Sequence, residues 1–387
     1  MKVLIAGDFC QDYRVDQLVR SEQFNFFDAI KPTVQGSDYS IVNFEFPVVV
    51  NESQAQPIPK YGPCLRGTEG GIRAVRYSGF KCCTLANNHS LDQGGQCLLD
   101  TIELMSKNNL DIVGAGRNLK EASQTLFRKI GEETLAVINC CEHEFTIATE
   151  NTTGANPLNP VHQYYKIKEA KSKADYVLVI VHGGHEHYQL PSSRMQDTYR
   201  FFIDAGADAV VNHHQHCFSG YEMYKGRPIF YGLGNLLFDD PVMHSNTWNE
   251  GYMAQINFCS DKCTFSIIPY IQCAGAVGIE LLDETEMNLF QRRLDELNAI
   301  ISDRQQLILN NSKYYQNSSY WELTVLEPYR SRIANKLYSW HLLPKCVKKK
   351  KLAAMFDHIS CESHRDKLLF ALRHDDKNTL KMNNQII

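Results

Sequence analysis

The segment "LANNHSLDQGG" (residues 85–95) governs the reading of this chain. It follows "GFKCCT" (79–84), an apolar run that reads as a buried strand, and precedes "QCLLDTIELM" (96–105), which reads as an amphipathic helix. Between them stand Asn87, Asn88, His89 and Asp92. Loops that leave strands are where α/β scaffolds display chemistry. Asn and Asp also turn chains and cap helices, so the segment signals function only if similar ones accompany it.

They do. Residues 1–270 repeat a short apolar run followed by a polar loop: "KVLIAG" (2–7), "YSIVNFE" (39–45), "FKCCTLA" (80–86), "LDIVGAG" (110–116), "TLAVINC" (134–140), "DYVLVIVHGG" (175–184), "DAVVNHH" (208–214) and "PIFYGLGN" (228–235). Continuous apolar strands are buried on both faces. Helical patterns at 95–107 and 193–205 fall between them, and this alternation predicts an α/β fold. From about residue 218 the pattern is strand-rich, which suggests an antiparallel part or a second sheet. Beyond 280 it changes again. Met287, Phe290, Leu294, Leu297, Ile300 and Ile301 recur at helical spacing, and further helices are expected near 320–340 and 345–372. The expected division is a domain over 1–280 and a helical appendage over 281–387.

The chain has 387 residues, 43% of them hydrophobic and 22% charged, as in ordinary soluble proteins. A net charge of −4 gives no general attraction to nucleic acid. The opening "MKVLIAGDF" lacks the ~7–15 apolar residues of a secretory segment, and no run reaches the ~20 of a membrane span. A cytoplasmic protein is expected. The paired cysteines Cys82-Cys83 and Cys140-Cys141 sit in apolar runs and read as buried thiols.

The strand exits share one chemistry. "GDFCQD" supplies Asp8 and Asp12, "NFEFP" supplies Asn43 and Glu45, and "VIVHGGHEH" supplies His182, His185, Glu186 and His187. "VVNHHQH" supplies His213, His214 and His216, and "YGLGNLLFD" supplies Asn235 and Asp239. Parallel strands bring such exits to one sheet edge. Carboxylate, amide and imidazole together suit Mn, Fe or Zn. Two ions sharing a carboxylate would activate water and clamp an oxyanion. An Asn can lend an amide oxygen to an ion, and a His beside it that stays off the ion can protonate a leaving oxygen.

This motif order resembles the calcineurin-like metallophosphoesterase fold, and more closely the CapA family of capsule and poly-gamma-glutamate synthesis proteins. The resemblance rests on Gly7-Asp8, Asn43-Phe44-Glu45, Ala86-Asn87-Asn88-His89 with Asp92 and Gly94, His182 with Gly184 and Glu186, His213-His214-Gln215-His216, and Gly234-Asn235 with Phe238 and Asp239. It covers roughly residues 1–270. It implies a four-layer α/β/β/α sandwich holding one or two divalent ions on Asp8, Glu45, Asn88, His182, His214 and His216, with Glu45 as the bridge. His89 is then the general acid, and Asp92 either orients it or caps the next helix. Asn43, Asn87, His185, Glu186 and Asn235 are expected to contact substrate. Arg66, in "YGPCLRGTEG" (61–70), either faces an anionic group or forms a surface ion pair.

Two positions depart from the pattern. Cys10 stands where the wider fold carries a histidine, and Gly183 stands where an aromatic is common, which would open the pocket or alter substrate packing. Two functions remain in view. One is a metal-dependent hydrolase acting on a cell-surface polymer or its precursor, and the other is a non-catalytic scaffold for capsule assembly. Charge is also segregated: residues 344–387 hold ten basic and five acidic residues, leaving −9 on residues 1–343. The run "KCVKKKKLAAMF" (345–356) sets lysines beside apolar Leu352, Met355 and Phe356, next to Trp340 and Leu343. It reads either as a peripheral contact with an anionic inner-membrane face or as a helix packed on the core.

Overall fold

The computed structural model describes residues 1–60, 62–243, 245–259, 263–316, 342 and 349–373. Contacts divide the chain into two units, residues 1–58 with 64–308 and residues 59–63 with 309–387.

The first unit is built on two sheets. Its strands are β1 (Lys2–Phe9), β2 (Tyr39–Phe44), β3 (Cys82–Thr84), β4 (Asp111–Val113), β5 (Ala115–Gly116), β6 (Leu126–Ile130), β7 (Glu133–Cys141) and β8 (Gly154–Ala155). They continue with β9 (Tyr176–His182), β10 (Ala209–His213), β11 (Tyr221–Tyr224), β12 (Arg227–Phe230), β13 (Asn235–Leu237), β14 (Glu250–Asn257), β15 (Thr264–Gln272) and β16 (Ile279–Leu281). One sheet has the order β16-β15-β14-β1-β2-β3-β4 with β13 also on β1, the other β11-β12-β10-β9-β7-β6, and β5 and β8 form a small two-stranded sheet apart from both. The strand-rich region after 218 is therefore not a separate sheet: β11 and β12 finish the second sheet, and β13 to β16 return to the first.

Strand periodicity makes the layers. On β1, Val3 and Ile5 point into a core shared with Leu178, Ile180 and Val211 of the second sheet. The alternate residues Leu4 and Ala6 face an outer core with Val19, Ile72 and Leu98 from the helices Tyr13–Arg20, Glu69–Ser78 and Gly95–Lys107. Val177, Val179 and Val181 of β9 face a third core with Ile167 and Phe202, from the helices Pro160–Lys171 and Ser193–Ala205. Helix, sheet, sheet and helix thus stack in four layers, as the resemblance implies.

The pairs β1–β2, β2–β3, β7–β9 and β9–β10 are parallel. The exits of β1, β2 and β3 are therefore on one edge of the first sheet, and those of β7, β9 and β10 on one edge of the second. A bulge at Gly7 adds to this. The register with β2 runs Ala6↔Val42 and then Asp8↔Asn43, so Gly7 is the extra residue. Strict alternation would turn Asp8 to the outer helices with Leu4 and Ala6, and the bulge re-aims it. Only glycine fits at position 7, because a Cβ there would collide with the Gly234 carbonyl oxygen.

The helix Glu284–Ser302 starts with a capping box between Asp283 and Glu286. Its Phe290 and Leu294 enter the inter-sheet core. Residues 281–308 thus belong to the first unit, and the division falls near 308 and not at 280.

In the second unit the expected 345–372 helix is two helices, Lys349–Ser360 and Glu362–Arg373, tied by His364 Nδ1 and Asp357 Oδ2 at 2.6 Å. Leu352 and Phe356 are 54% and 65% exposed, beside exposed Lys349, Lys350 and Lys351. The helix expected near 320–340, and Trp340, Leu343, Lys345, Lys348, Lys377 and Lys381, lie outside the described residues. No described helix is long and apolar enough to cross a membrane.

Candidate metal centre

Six residues from five strand ends converge. Glu45, which follows β2, is fully buried, with Oε1 3.5 Å from His182 Nε2 and 3.7 Å from His216 Nε2. His182 ends β9, and its Nε2 also lies 3.0 Å from Asn88 Oδ1 and 3.1 Å from His214 Nδ1. Asp8 Oδ2 lies 3.7 Å from His216 Nδ1 and accepts the His214 N–H at 3.2 Å. Ligand atoms of Glu45, His182 and His214 lie within 4.8 Å of one another, and so do those of Asp8, Glu45 and His216. The two sets share Glu45, the residue expected to bridge.

The donor set fits divalent ions. Two buried carboxylates, an amide oxygen and three imidazoles are the mixed oxygen and nitrogen donors that Mn, Fe or Zn accept. Burial, and then His214, His213, His216 and His89, hold His182 well below the ordinary imidazole range, so its ring is neutral. Burial pushes the Asp8 carboxyl up. Hydrogen bonding and charge from His213, then the His216 charge and the Asn43 amide, outweigh this and leave it lowered and ionised. His214 and His216 have φ of 91° and 53°, a region that non-glycine residues enter at a cost of about 1–3 kcal/mol.

The opening segment wraps this centre. Asn87 Oδ1 takes the His89 N–H at 3.1 Å, and Asn87 Nδ2 donates to the Phe44 carbonyl at 2.9 Å. His89 Nδ1 lies 2.6 Å from Asp92 Oδ2, which also accepts the Leu65 N–H at 2.6 Å. The helix at Gly95 starts on Gly94 without a side-chain cap. Asp92 thus orients His89, and the capping alternative falls.

Several expected substrate contacts have other work. Asn43 is buried, donating to Asp8 Oδ1 at 2.8 Å and accepting from Thr84 Oγ1 at 3.1 Å, with His182 Nδ1 3.3 Å from its amide nitrogen. Asn87 is spent on the loop. Asn235 gives its amide hydrogens to the His216 and Trp248 carbonyls at 3.2 and 3.3 Å, so its Oδ1 accepts from His216 Nδ1 at 2.9 Å. All three hold the centre in place instead of facing a ligand. His185 is buried, with its ring 6.4 Å from Tyr188. Arg66 pairs with Glu52, and both side chains are substantially exposed, so it forms the surface ion pair. Glu186 and His187 are exposed at the mouth, Glu186 4.0 Å from His214 Nε2 and the His187 ring 6.3 Å from that of His216.

Cys10 packs in the outer core. Burial, and then the Asp12 and Glu45 charges, push its thiol well up, away from the thiolate a metal would take. Gly183 does not open the pocket. A Cβ there would lie 2.6 Å from Glu142 Cγ, so Glu142 fills the space and pairs with Arg194 at 2.8 Å.

Sequence reasoning gave His213 no role and missed Trp248 and Glu144. His213 Nδ1 sits 3.3 Å from Asp8 Oδ1. Trp248 lies against His216 with ring centroids 5.2 Å apart. Glu144 Oε1 is 3.3 Å from His214 Nε2. The acids of "CCEHEF" (140–145), directly after a buried strand, were the available signal for Glu144.

Residues 2–240 match a family model described as "Bacterial capsule synthesis protein PGA_cap". The chain is 32% identical over 246 residues to the capsule biosynthesis protein CapA of Bacillus anthracis, covering 62% of this chain and 60% of that one. It is 35% identical over 238 residues to the PGA biosynthesis protein CapA of Bacillus subtilis (strain 168), covering 60% and 62%. The matched region therefore spans about three fifths of the length of these curated relatives. Among solved structures, a phosphatase from Mycoplasma pneumoniae aligns at 14% identity and a TM-score of 0.42, over 74% of this chain and 96% of that one. A 5'-nucleotidase precursor from Thermus thermophilus aligns at 12% and 0.42, over 78% and 59%. Similarity this distant adds nothing to the layers described above. The family model spans more than half of the sequence, and the chain belongs to the bacterial capsule synthesis protein family.

Proposed function

We propose that this chain is a metal-dependent hydrolase of the phosphoesterase type that acts on a cell-surface polymer or its precursor in capsule synthesis. The observation that carries the reading is the shared Glu45, which joins two donor sets in one buried centre. One or two divalent ions on Asp8, Glu45, Asn88, His182, His214 and His216 would polarise a phosphoryl oxygen and activate water near neutral pH. The protein's own groups do the rest. With Nδ1 committed to Asp92, His89 passes a proton from Nε2 to the leaving oxygen. Asn43 and Asn235 fix the ligand side chains, and Glu186 and His187 meet the substrate at the mouth.

A second reading, a non-catalytic metal-binding scaffold, is favoured by one observation: position 10 carries a core thiol in place of an imidazole. Loading purified protein with Mn²⁺ or Zn²⁺ and supplying bis(p-nitrophenyl) phosphate separates the two. The hydrolase reading expects ion uptake and turnover above a metal-stripped control. Uptake without turnover of phosphodiester, ester or amide probes supports the scaffold, and no uptake at all removes both.

We also propose that the protein works at the cytoplasmic face of the membrane and touches it through the helix Lys349–Ser360. The exposed Leu352 and Phe356 beside three lysines support this. Each basic residue near an anionic surface contributes ~1 kcal/mol. Flotation with phosphatidylglycerol vesicles should be salt-sensitive and should drop when Lys349, Lys350 and Lys351 become Ser. Binding indifferent to lipid charge would overturn it.

A further inference from the structure

Glu144 reaches the centre through a tight reversal at the end of β7. Cys141 pairs with His182 across the parallel strands β7 and β9. The Glu142 N–H then donates to the His182 carbonyl at 3.0 Å, and the Glu144 N–H turns back onto the Glu142 carbonyl at 2.9 Å. This carries the buried Glu144 side chain to 3.3 Å from His214 Nε2. The other nitrogen of that ring, Nδ1, faces His182 Nε2 at 3.1 Å, within the Glu45–His182–His214 set.

A neutral imidazole has one N–H and one lone pair, and an ionised carboxylate only accepts. A carboxylate at Nε2 therefore selects the tautomer with its hydrogen on Nε2 and its lone pair on Nδ1. His216 is set in the opposite sense, because Asn235 Oδ1 accepts from Nδ1 and turns the Nε2 lone pair toward Glu45. The two histidines of "HQH" thus present different nitrogens, each fixed by a different neighbour. Glu186 also approaches His214 Nε2, but at 4.0 Å and from an exposed position, where water screens it.

We infer that Glu144 is a positioning residue for the metal centre: it orients His214 and fixes the tautomer that offers Nδ1 to a divalent cation. The inference rests on the metal-centre reading above. Outer-shell partners of ligating histidines typically contribute 10–100-fold to affinity. Glu144→Ala is therefore expected to weaken Zn²⁺ binding by about 10–100-fold in competition with a chromogenic chelator. Glu144→Gln, whose amide oxygen accepts the same hydrogen, should recover most of that loss, whereas Glu186→Ala should change little. Nitrogen-15 spectra of the zinc-loaded protein should place the His214 ring hydrogen on Nε2. Unchanged affinity in Glu144→Ala while His214→Ala loses zinc would overturn the inference, as would a ring hydrogen on Nδ1. If Glu144→Ala fails to fold by circular dichroism, the Gln variant and the wild-type spectrum decide. Failure of the wild type to take up zinc defeats the metal-centre reading itself and the inference with it, before any variant is compared.

Discussion

Glu45→Gln is expected to abolish ion binding at both donor sets together. Glu45 is the member common to them, and it is fully buried, so no water replaces the lost charge. An amide keeps one oxygen donor but not the negative charge that balances a divalent cation among neutral imidazoles. The loss should exceed the ~10–100-fold seen when an outer-shell partner is removed, and turnover should fall to the metal-stripped background. His216→Ala, by contrast, should disturb the Asp8–Glu45–His216 set and leave Glu45, His182 and His214 together. Metal stoichiometry by plasma mass spectrometry after dialysis reads both variants. Full retention of ions by Glu45→Gln would remove Glu45 from the bridging position.

The second large effect is kinetic. His89→Asn should keep its ions and lose about 10²–10⁴-fold in turnover, the usual contribution of a general acid. The loss should depend on the leaving group. An alkyl phosphodiester needs the proton and should show the full effect, while a p-nitrophenyl ester departs as a stable anion and should show much less. A merely structural role for His89 would slow both equally. Unchanged turnover of the alkyl ester would leave His89 as a group that only hydrogen-bonds its loop.

What was legible in the sequence is what lies within one short segment. His89 and Asp92 are three residues apart, and their spacing allowed the pairing alongside a helix cap. The α/β class follows from apolar runs separated by helical patterns, while the four layers came from the resemblance. The roles of Asn43, Asn87 and Asn235 were not legible. An amide at a strand exit looks the same whether it faces a ligand or a neighbour, and the neighbours are distant: Asn43 lies against His182, 139 positions away. Asp8 points the right way only because of a bulge set by the backbone contact between Gly7 and Gly234, which no periodicity records. Glu144 was hidden because its direction comes from a two-residue reversal. An amphipathic pattern does not say which core it faces, so the sequence of the helix Glu284–Ser302 does not tell an appendage from the inter-sheet core it enters.

The centre draws Asp8, Glu45 and Asn88 from one sheet and His182, His214 and His216 from the other. Asp8 and His214 stand 206 positions apart. During synthesis at ~5–20 residues per second, the carboxylates of the first strands therefore wait about 10–40 s for their imidazoles. Until then the three imidazoles His182, His214 and His216 are missing from the donor set, and Asp8, Glu45 and Asn88 offer it oxygen atoms alone. The full donor set therefore exists only after translation of the histidine segment and the meeting of the two sheets.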